Sequence, residues 1–411
     1  MFLASIKGRG LLAWGACALF FSYAFFMRTA VGAFQTPMMA DFSLSALQFS
    51  FLSTSSFALV YGVMQVPAGM IIGRVGLRLA LMIAMGTCLL SSLGLAWAET
   101  YAQTLIYRGV MGIGAAFSFV GLLVCVYEVI PQRHHGLFIG LAQFVGTMGP
   151  LLSAGPLNHC AATFCLDWRS VFMWLAVGGA IGFFFLFLWV KPQKKEAIKT
   201  ETLPTFSVLW RVLCQGEVWL TAFFAACVYI AIEYLCENEG RQFLSLKGIG
   251  DLHSSYILTL GWLGYAIGCP LLGAYADWKK KQHFTMLLSA CGALGALILI
   301  LWASQALILS VAFILLGMSA GGQSVAFTRV TRLLSGESVA VGVGLTNAVI
   351  TVVAIFNATL IGGLIDHFQK AFSGIALYRI AFLPLFVIAM GALLIALFLA
   401  KKPHRAIHKR P

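Results

Sequence analysis

The chain has 411 residues, of which 60% are hydrophobic and only 10% carry a charge. A soluble domain has about 25% charged residues. The composition of this chain therefore excludes a soluble protein and predicts one that crosses the lipid bilayer several times. The net charge of +13 comes from basic residues that cluster in alternate loops. Such clustering indicates membrane orientation and not a nucleic-acid partner.

Transmembrane helices are predicted in chain order from uncharged stretches, because about 20 helical residues cross a bilayer. These stretches are 42–73, 79–98, 109–127, 134–166, 170–190, 252–276, 338–365 and 380–400. The run 282–328 is long enough for two helices. Two further spans enclose a charged residue, Arg28 in 10–36 and Glu233 in 216–238. The expected fold is an all-α polytopic membrane protein with twelve transmembrane helices.

The distribution of lysine and arginine predicts the orientation of these helices. Most of them lie in every second loop and at the chain ends, which by the positive-inside rule places both termini and the loop 191–214 in the cytoplasm. No small-residue cleavage site follows the basic start, so we expect a retained first helix. We also expect a monomer in the bacterial inner membrane. Cys160 and Cys165 share an outer loop, where a disulfide and two free thiols are both compatible with the sequence.

An internal repeat divides the chain. The segment PAGMIIGRVGLR (67–78) ends the second predicted helix, and PLLGAYADWKKK (270–281) ends the eighth. Gly69 corresponds to Gly273 at an offset of 204 residues, about half the chain. Such duplication predicts two pseudo-symmetric six-helix bundles. Their boundaries are expected at 1–190 for the first bundle, 191–214 for a cytoplasmic linker and 215–411 for the second bundle.

Three short motifs resemble those of the major facilitator superfamily. They are Gly69, Arg74, Gly76 and Arg78 after helix 2, Arg108 and Gly112 in helix 4, and Gly146, Gly149 and Pro150 in helix 5. Gly73 stands where the family's loop motif has an acid, which Asp277 keeps in the second copy. The resemblance implies a secondary transporter that opens a central site alternately to each side, driven by an ion gradient, without a cofactor or a bound metal.

Two arginines lie inside predicted membrane helices, where a charge costs about 2.5 to 3.5 kcal/mol on insertion scales. Arg28 is near mid-depth in helix 1, and Arg108 is nearer the outside in helix 4. A guanidinium stays charged and binds a carboxylate or phosphate through two parallel hydrogen bonds. We expect both arginines to bind an anionic substrate in a central cavity, as the organic-anion and organophosphate branches that the sequence resembles also imply. The alternative is that each caps backbone carbonyls or reaches to the membrane surface.

Other polar residues are expected at the same site. Gln35 lies on the same face of helix 1 as Arg28. Gln143 in helix 5 and Asn347 in helix 11 correspond to each other at the repeat offset, and both side chains are amides. Tyr23 has an aromatic ring with a polar hydroxyl group. Hydrogen bonds between helices are the alternative role for the two amides. The sequence thus predicts a substrate site with contributions from both bundles.

Glu233 lies in helix 7, next to position 232, which corresponds to Arg28 at the repeat offset of 204. We expect it to carry the proton that drives transport, since intramembrane acids are usual proton carriers. The alternative is a permanent ion pair with Arg28 or Arg108. Glu237 and Glu239 lie further out and are expected only to line the outer mouth.

Crossed charges at the inner ends of the helices predict a structural latch. Glu128 would pair with Arg74 or Arg78, and Asp277 with Arg332, so that the signs are exchanged between the two halves. Gly69 belongs to the same loop motif. The alternative is that Glu128 transfers protons.

The function expected is proton-coupled uptake of a small organic anion by alternating access. The alternative is proton-coupled efflux of drugs or other lipophilic or cationic compounds, which the Gly-Pro motif of helix 5 favours and the two buried arginines disfavour. The sequence has neither a His-Glu-x-x-His nor a Walker A motif, and no soluble domain of useful size, so we do not expect an enzyme. Sugar acids, carboxylates, organophosphates and metal chelates all fit, because two arginines select charge and not shape.

Overall fold

The computed structural model describes residues 8–131, 135–191, 206–279, 282–334 and 338–401, and these residues are helical apart from short connections. A π-helical turn, Phe51–Ser55, joins the third helix to the fourth. The helices are α1 Gly8–Ala33, α2 Gln35–Phe42, α3 Ala46–Ser50, α4 Ser56–Val75, α5 Leu77–Ala96, α6 Tyr101–Val129, α7 His135–Ser153, α8 Gly155–Thr163, α9 Trp168–Trp189, α10 Phe206–Leu213, α11 Gly216–Glu237, α12 Gly240–Leu246, α13 Asp251–Lys279, α14 Gln282–Trp302, α15 Ala306–Ala320, α16 Gly322–Leu333, α17 Ser338–Phe368, α18 Gly374–Ala381 and α19 Leu383–Lys401.

Among the described residues, 11 helical units are long and apolar enough to cross a membrane. The pair α7 and α8, interrupted at Ala154, occupies the place of the fifth predicted helix between α6 and α9. The uncharged run 282–328 forms two units, as predicted: α14, and α15 continued by α16. The all-α polytopic fold with two six-helix halves is therefore confirmed.

The expected linker 191–214 is only partly described. Residues 192–205 lie outside the described ranges, while 206–213 form α10. Val212 of α10 is fully buried and packs with Val218 and Val330 of the second half. This part of the segment is therefore a helix that packs through Val212 against the second half.

Small residues allow the close packing of helices within each half. A β-carbon added to Gly112 of α6 would lie 2.7 Å from the carbonyl oxygen of Phe57 in α4, so a larger residue cannot replace this glycine without moving a backbone. Membrane helices associate through such small surfaces because lipid is as apolar as leucine. Gly112 therefore allows α4 and α6 to approach closely.

We call the membrane side where α1 begins and α9 ends the linker side, and the opposite side the far side. Several hydrogen bonds join the two halves on the far side. The Asp366 carboxylate of α17 accepts from the backbone N–H groups of Ala46 and Leu47, at 3.0 and 2.9 Å, and so caps the N-terminus of α3. Gly155 N donates to Thr259 Oγ1 at 2.7 Å.

Two buried polar side chains of the second half extend this contact. Asn238 accepts from the hydroxyl of Ser53 in the π-helical turn. The Glu239 carboxylate accepts from Gln35 Nε2 at 2.7 Å and from the hydroxyl of Tyr378 at 3.0 Å. Burial raises the pKa of Glu239, and the two hydrogen bonds act in the opposite direction. These contacts, which we call the far-side lock, hold the two halves together on that side.

Candidate functional site

A central cavity lies between the two halves on the linker side of the far-side lock. The centres of water-sized molecules can occupy about 130 Å³ of it. Residues of α1, α4, α6 and α7 line one wall, and residues of α11, α13, α16 and α17 line the other. A site built from both halves is the arrangement that alternating access requires.

Arg28 contributes the positive charge of this cavity. Its guanidinium forms an ion pair with Glu233, which also lines the cavity, and a second ion pair with Glu237. Both glutamates lie on α11, so these ion pairs cross between the halves. The charge expected to bind a substrate is therefore held by two carboxylates of the opposite half.

The two glutamates differ in position. Glu237 is 1% exposed and accepts two hydrogen bonds from Arg28, from Nε at 3.3 Å and from Nη2 at 3.0 Å. Glu233 Oε2 has no hydrogen-bond partner within the described residues. Glu237 was expected only at the outer mouth, which is wrong. Its spacing of four residues from Glu233 places both acids on one face of α11, and this signal could have identified it.

Gln143 and Asn347 both line the cavity, from α7 and α17, where the repeat predicts them. Several hydroxyl groups and one further amide accompany them in the cavity lining. These polar residues are Thr54, Tyr61, Ser118, Tyr229, Tyr265, Gln323 and Thr351. Tyr265 donates a hydrogen bond to Gln323 at 2.6 Å, which orients that amide. The described lining of the cavity thus combines the Arg28 guanidinium and the Glu233 carboxylate with many uncharged hydrogen-bonding groups.

The placement of Arg108 differs from the expectation of an anion site. This side chain is fully buried outside the cavity lining and donates to four backbone carbonyls, those of Met27, Arg28, Leu52 and Ser53. Its guanidinium also lies 5.0 Å from the ring centroid of Phe57. Because its donors satisfy carbonyls around the π-helical turn, Arg108 connects three helical segments of the first half. The carbonyl-capping alternative describes these contacts.

Tyr23 and Gln35 also lie outside the cavity lining. The Tyr23 hydroxyl donates to the carbonyl of Leu175 in α9 at 2.7 Å, which is a contact inside the first half. Gln35 is 2% exposed and belongs to the far-side lock through Glu239. Both side chains satisfy neighbouring protein groups, and the prediction that they contact substrate is not supported by their positions.

Comparison with known proteins identifies the family of this fold. The sequence profile described as "Major Facilitator Superfamily" matches residues 16–356. The chain belongs to the Major Facilitator Superfamily. It is 26% identical over 357 residues to the inner membrane transport protein RhmT of Escherichia coli (strain K12), covering 79% of this chain and 80% of that protein.

Two further comparisons agree with this membership. The hexuronate transporter of Bacillus subtilis (strain 168) is 27% identical over 263 residues, which cover 62% of this chain and 61% of that protein. A crystal structure of a bacterial homologue of the human lysosomal transporter Spinster has a TM-score of 0.77 and 16% identity, and covers 97% of this chain and 100% of that chain. The latter shows a shared fold.

The latch expected for this superfamily member lies on the linker side. Arg74 and Glu128 are exposed at the linker-side ends of α4 and α6, and Arg78 stacks on Phe187 at 4.4 Å. Arg332 lies in the last turn of α16. The side chain of Asp277 lies outside the described part of the chain, so the latch, including the loop glycine Gly69, stays a prediction.

Other chemistry finds little support in the described residues. No group of three or more His, Cys, Asp or Glu side chains there could hold a metal ion. Residues 317–321 read GMSAG, which fits the Gly-x-Ser-x-Gly pattern of serine hydrolases, but they lie at the end of α15 and not on a strand-to-helix turn. Cys160 and Cys165 are exposed free thiols in this structure.

Proposed function

We propose that this protein takes up a small organic anion across the bacterial inner membrane, coupled to protons, by alternating access. The observation that carries the proposal is the ion pair of Arg28 with Glu233 in a cavity that both halves line. A guanidinium that is already held by carboxylates of the opposite half has the chemistry and the position to bind a substrate carboxylate.

The charges in the site support proton coupling. With both carboxylates ionised, Arg28, Glu233 and Glu237 have a formal net charge of −1, and a bound monoanion would raise the negative charge further in a region shielded from water. One proton taken up with each anion restores the balance. Glu233 suits this task, because it lines the cavity and its Oε2 has no partner within the described residues. The titratable groups around it are Arg28, Glu237 and the tyrosines Tyr61, Tyr229 and Tyr265.

The uncharged groups of the cavity favour a substrate with several hydroxyl groups. Gln143, Gln323 and Asn347 present amides that donate and accept hydrogen bonds, and aromatic rings such as Phe25 and Tyr61 offer flat apolar surfaces. The name of the Bacillus subtilis relative, hexuronate transporter, agrees with a hydroxylated carboxylate. We therefore propose a sugar acid as the first anion to test.

The orientation follows from charge. We propose that the linker side faces the cytoplasm, with both termini there, because the basic residues of the loops concentrate on that side. In this orientation the far-side lock closes the site toward the periplasm. We propose a monomer without cofactor, since each half of one chain supplies one wall of the cavity.

Transport by purified protein in liposomes tests this function. The expected result is uptake of radiolabelled D-glucuronate when the outside is made acidic, with loss of accumulation on addition of a protonophore. Liposomes without protein give the background. If the protein transports no anion of this class but exports lipophilic cations, the efflux alternative replaces the proposal.

A further inference from the structure

Glu237 holds Arg28 in the way that a substrate carboxylate would. Its two oxygens accept from Nε at 3.3 Å and Nη2 at 3.0 Å, a two-point contact with one edge of the guanidinium. This planar fork is the feature of arginine that selects carboxylates. Glu237 does not line the cavity, whereas Arg28 does. An edge of the substrate-binding cation is thus occupied by a carboxylate that approaches from the far side.

The backbone around Glu237 links this contact to closure of the far side. Gly32 of α1 packs against the carbonyl group of Glu237, and a β-carbon at position 32 would overlap that carbonyl. The helices α1 and α11 belong to different halves and approach most closely at such small residues. Separation of the halves on the far side therefore moves the backbone of Glu237 away from α1, the helix that carries Arg28.

We propose that Glu237 is an internal carboxylate that competes with the substrate anion for Arg28. This inference rests on the proposed function, in which Arg28 binds the anion. With the far side open, Glu237 withdraws and leaves the fork of Arg28 to the anion. With the far side closed, Glu237 returns to Arg28 and favours release of the anion on the linker side. Two carboxylates that share one binding group lower each other's apparent affinity in proportion to occupancy.

Glu239 provides a matched control. It is also buried, at 1% exposure, lies on the second half and joins the halves by accepting from Gln35. Its other partner is Tyr378, and none of its hydrogen bonds within the described residues involves the Arg28 guanidinium. Glu237→Gln and Glu239→Gln therefore each neutralise one buried carboxylate of the far side, but only the first removes a competitor for Arg28.

The experiment measures D-glucuronate binding to the purified full chain by isothermal titration calorimetry, for wild type, Glu237→Gln, Glu237→Asp and Glu239→Gln. We expect Glu237→Gln to bind at least about tenfold more tightly than wild type, which is the scale of one charge-assisted hydrogen bond. Glu237→Asp keeps the carboxylate, so its affinity for D-glucuronate should be closer to that of wild type. The amide of Glu239→Gln can accept from Gln35 and donate to the Tyr378 hydroxyl, which keeps this contact of the far-side lock, so the variant should bind as wild type does, within about twofold.

Hydrogen exchange supplies a second readout that needs no ligand. Backbone amides of 29–36 and 237–241 should exchange faster in Glu237→Gln than in wild type, because the carboxylate joins these segments. Unchanged or weaker binding by Glu237→Gln, in protein where Arg28→Ala abolishes binding, overturns competition while the proposed function stands. Equal binding by wild type and Arg28→Ala refutes the proposed role of Arg28 itself. If no form binds D-glucuronate and exchange is unchanged, both proposals fall.

Discussion

Asp366 should control closure of the far side, although it lies away from the cavity lining. Its carboxylate accepts from Ala46 N and Leu47 N at 3.0 and 2.9 Å across the boundary between the halves. Asp366→Asn keeps one acceptor oxygen but presents an amide NH₂ to the other N–H group and loses the charge at a helix N-terminus. One hydrogen bond of about 0.5 to 1.5 kcal/mol and a charge–dipole interaction of about 0.3 to 1 kcal/mol are affected. We therefore expect the closed far side to lose about 1 to 2 kcal/mol.

A loss of this size changes the ratio of closed to open molecules by a factor of about 5 to 30. Hydrogen exchange followed by mass spectrometry measures this ratio at the backbone amides of 237–241. These amides lie near the contact of α11 with α1, away from Asp366. These amides should exchange faster by that factor in Asp366→Asn. Asp251→Asn is the control, because Asp251 accepts from Ser245 within the second half, at 2.8 Å.

Faster exchange confined to the residues that contact Asp366 would refute this reasoning. If only the amides of Ala46 and Leu47 exchange faster, and 237–241 exchange as in wild type, Asp366 caps α3 without holding the halves together. The far-side lock would then depend on its other contacts, those of Gly155, Asn238 and Glu239.

Three further substitutions separate the roles of other charged residues. Glu233→Gln keeps the shape of the side chain but cannot release a proton, so uptake driven by a pH gradient should fall to background while exchange of internal for external D-glucuronate persists; retained accumulation would place the proton elsewhere. Arg108→Met removes four hydrogen bonds to backbone carbonyls that join three helical segments, each worth about 0.5 to 1.5 kcal/mol, so the melting temperature should fall by several degrees. If Arg108→Met abolishes D-glucuronate binding in protein that melts like wild type, Arg108 belongs to the substrate site after all. Glu128→Gln should slow transport while leaving D-glucuronate binding intact, as expected for a latch on the linker side, and complete loss of binding by well-folded protein would move Glu128 into the site.

The repeat offset also relates two residues whose contact across the halves was not predicted. The offset of 204 that relates Gly69 to Gly273 also relates Gln35 to Glu239, and these two side chains are hydrogen bonded. Gln35 at the start of α2 and Glu239 just before α12 thus meet at the boundary between the halves. Continuous apolar runs predicted the helices correctly, because a helix is one of the few structures that satisfy all backbone hydrogen bonds inside a bilayer.

The direction in which a buried side chain points was not predictable from depth. Arg28 and Arg108 both lie in apolar stretches, yet only Arg28 faces the cavity, and Arg108 turns toward the carbonyls of the π-helical turn. That turn, Phe51–Ser55, carries no sequence signal that we recognise. A single helix sequence gives spacing and depth, whereas the rotation of the helix is set by its neighbours.

Binding of D-glucuronate to Arg28 variants tests the central claim most directly. Arg28→Lys keeps the positive charge but loses the planar fork, and a hydrogen bond to a charged group is worth about 1.5 to 3 kcal/mol, so affinity should fall by about 10-fold to 100-fold. Arg28→Ala should bind more weakly still. The account is contradicted if folded Arg28→Ala protein binds and transports the anion as wild type does.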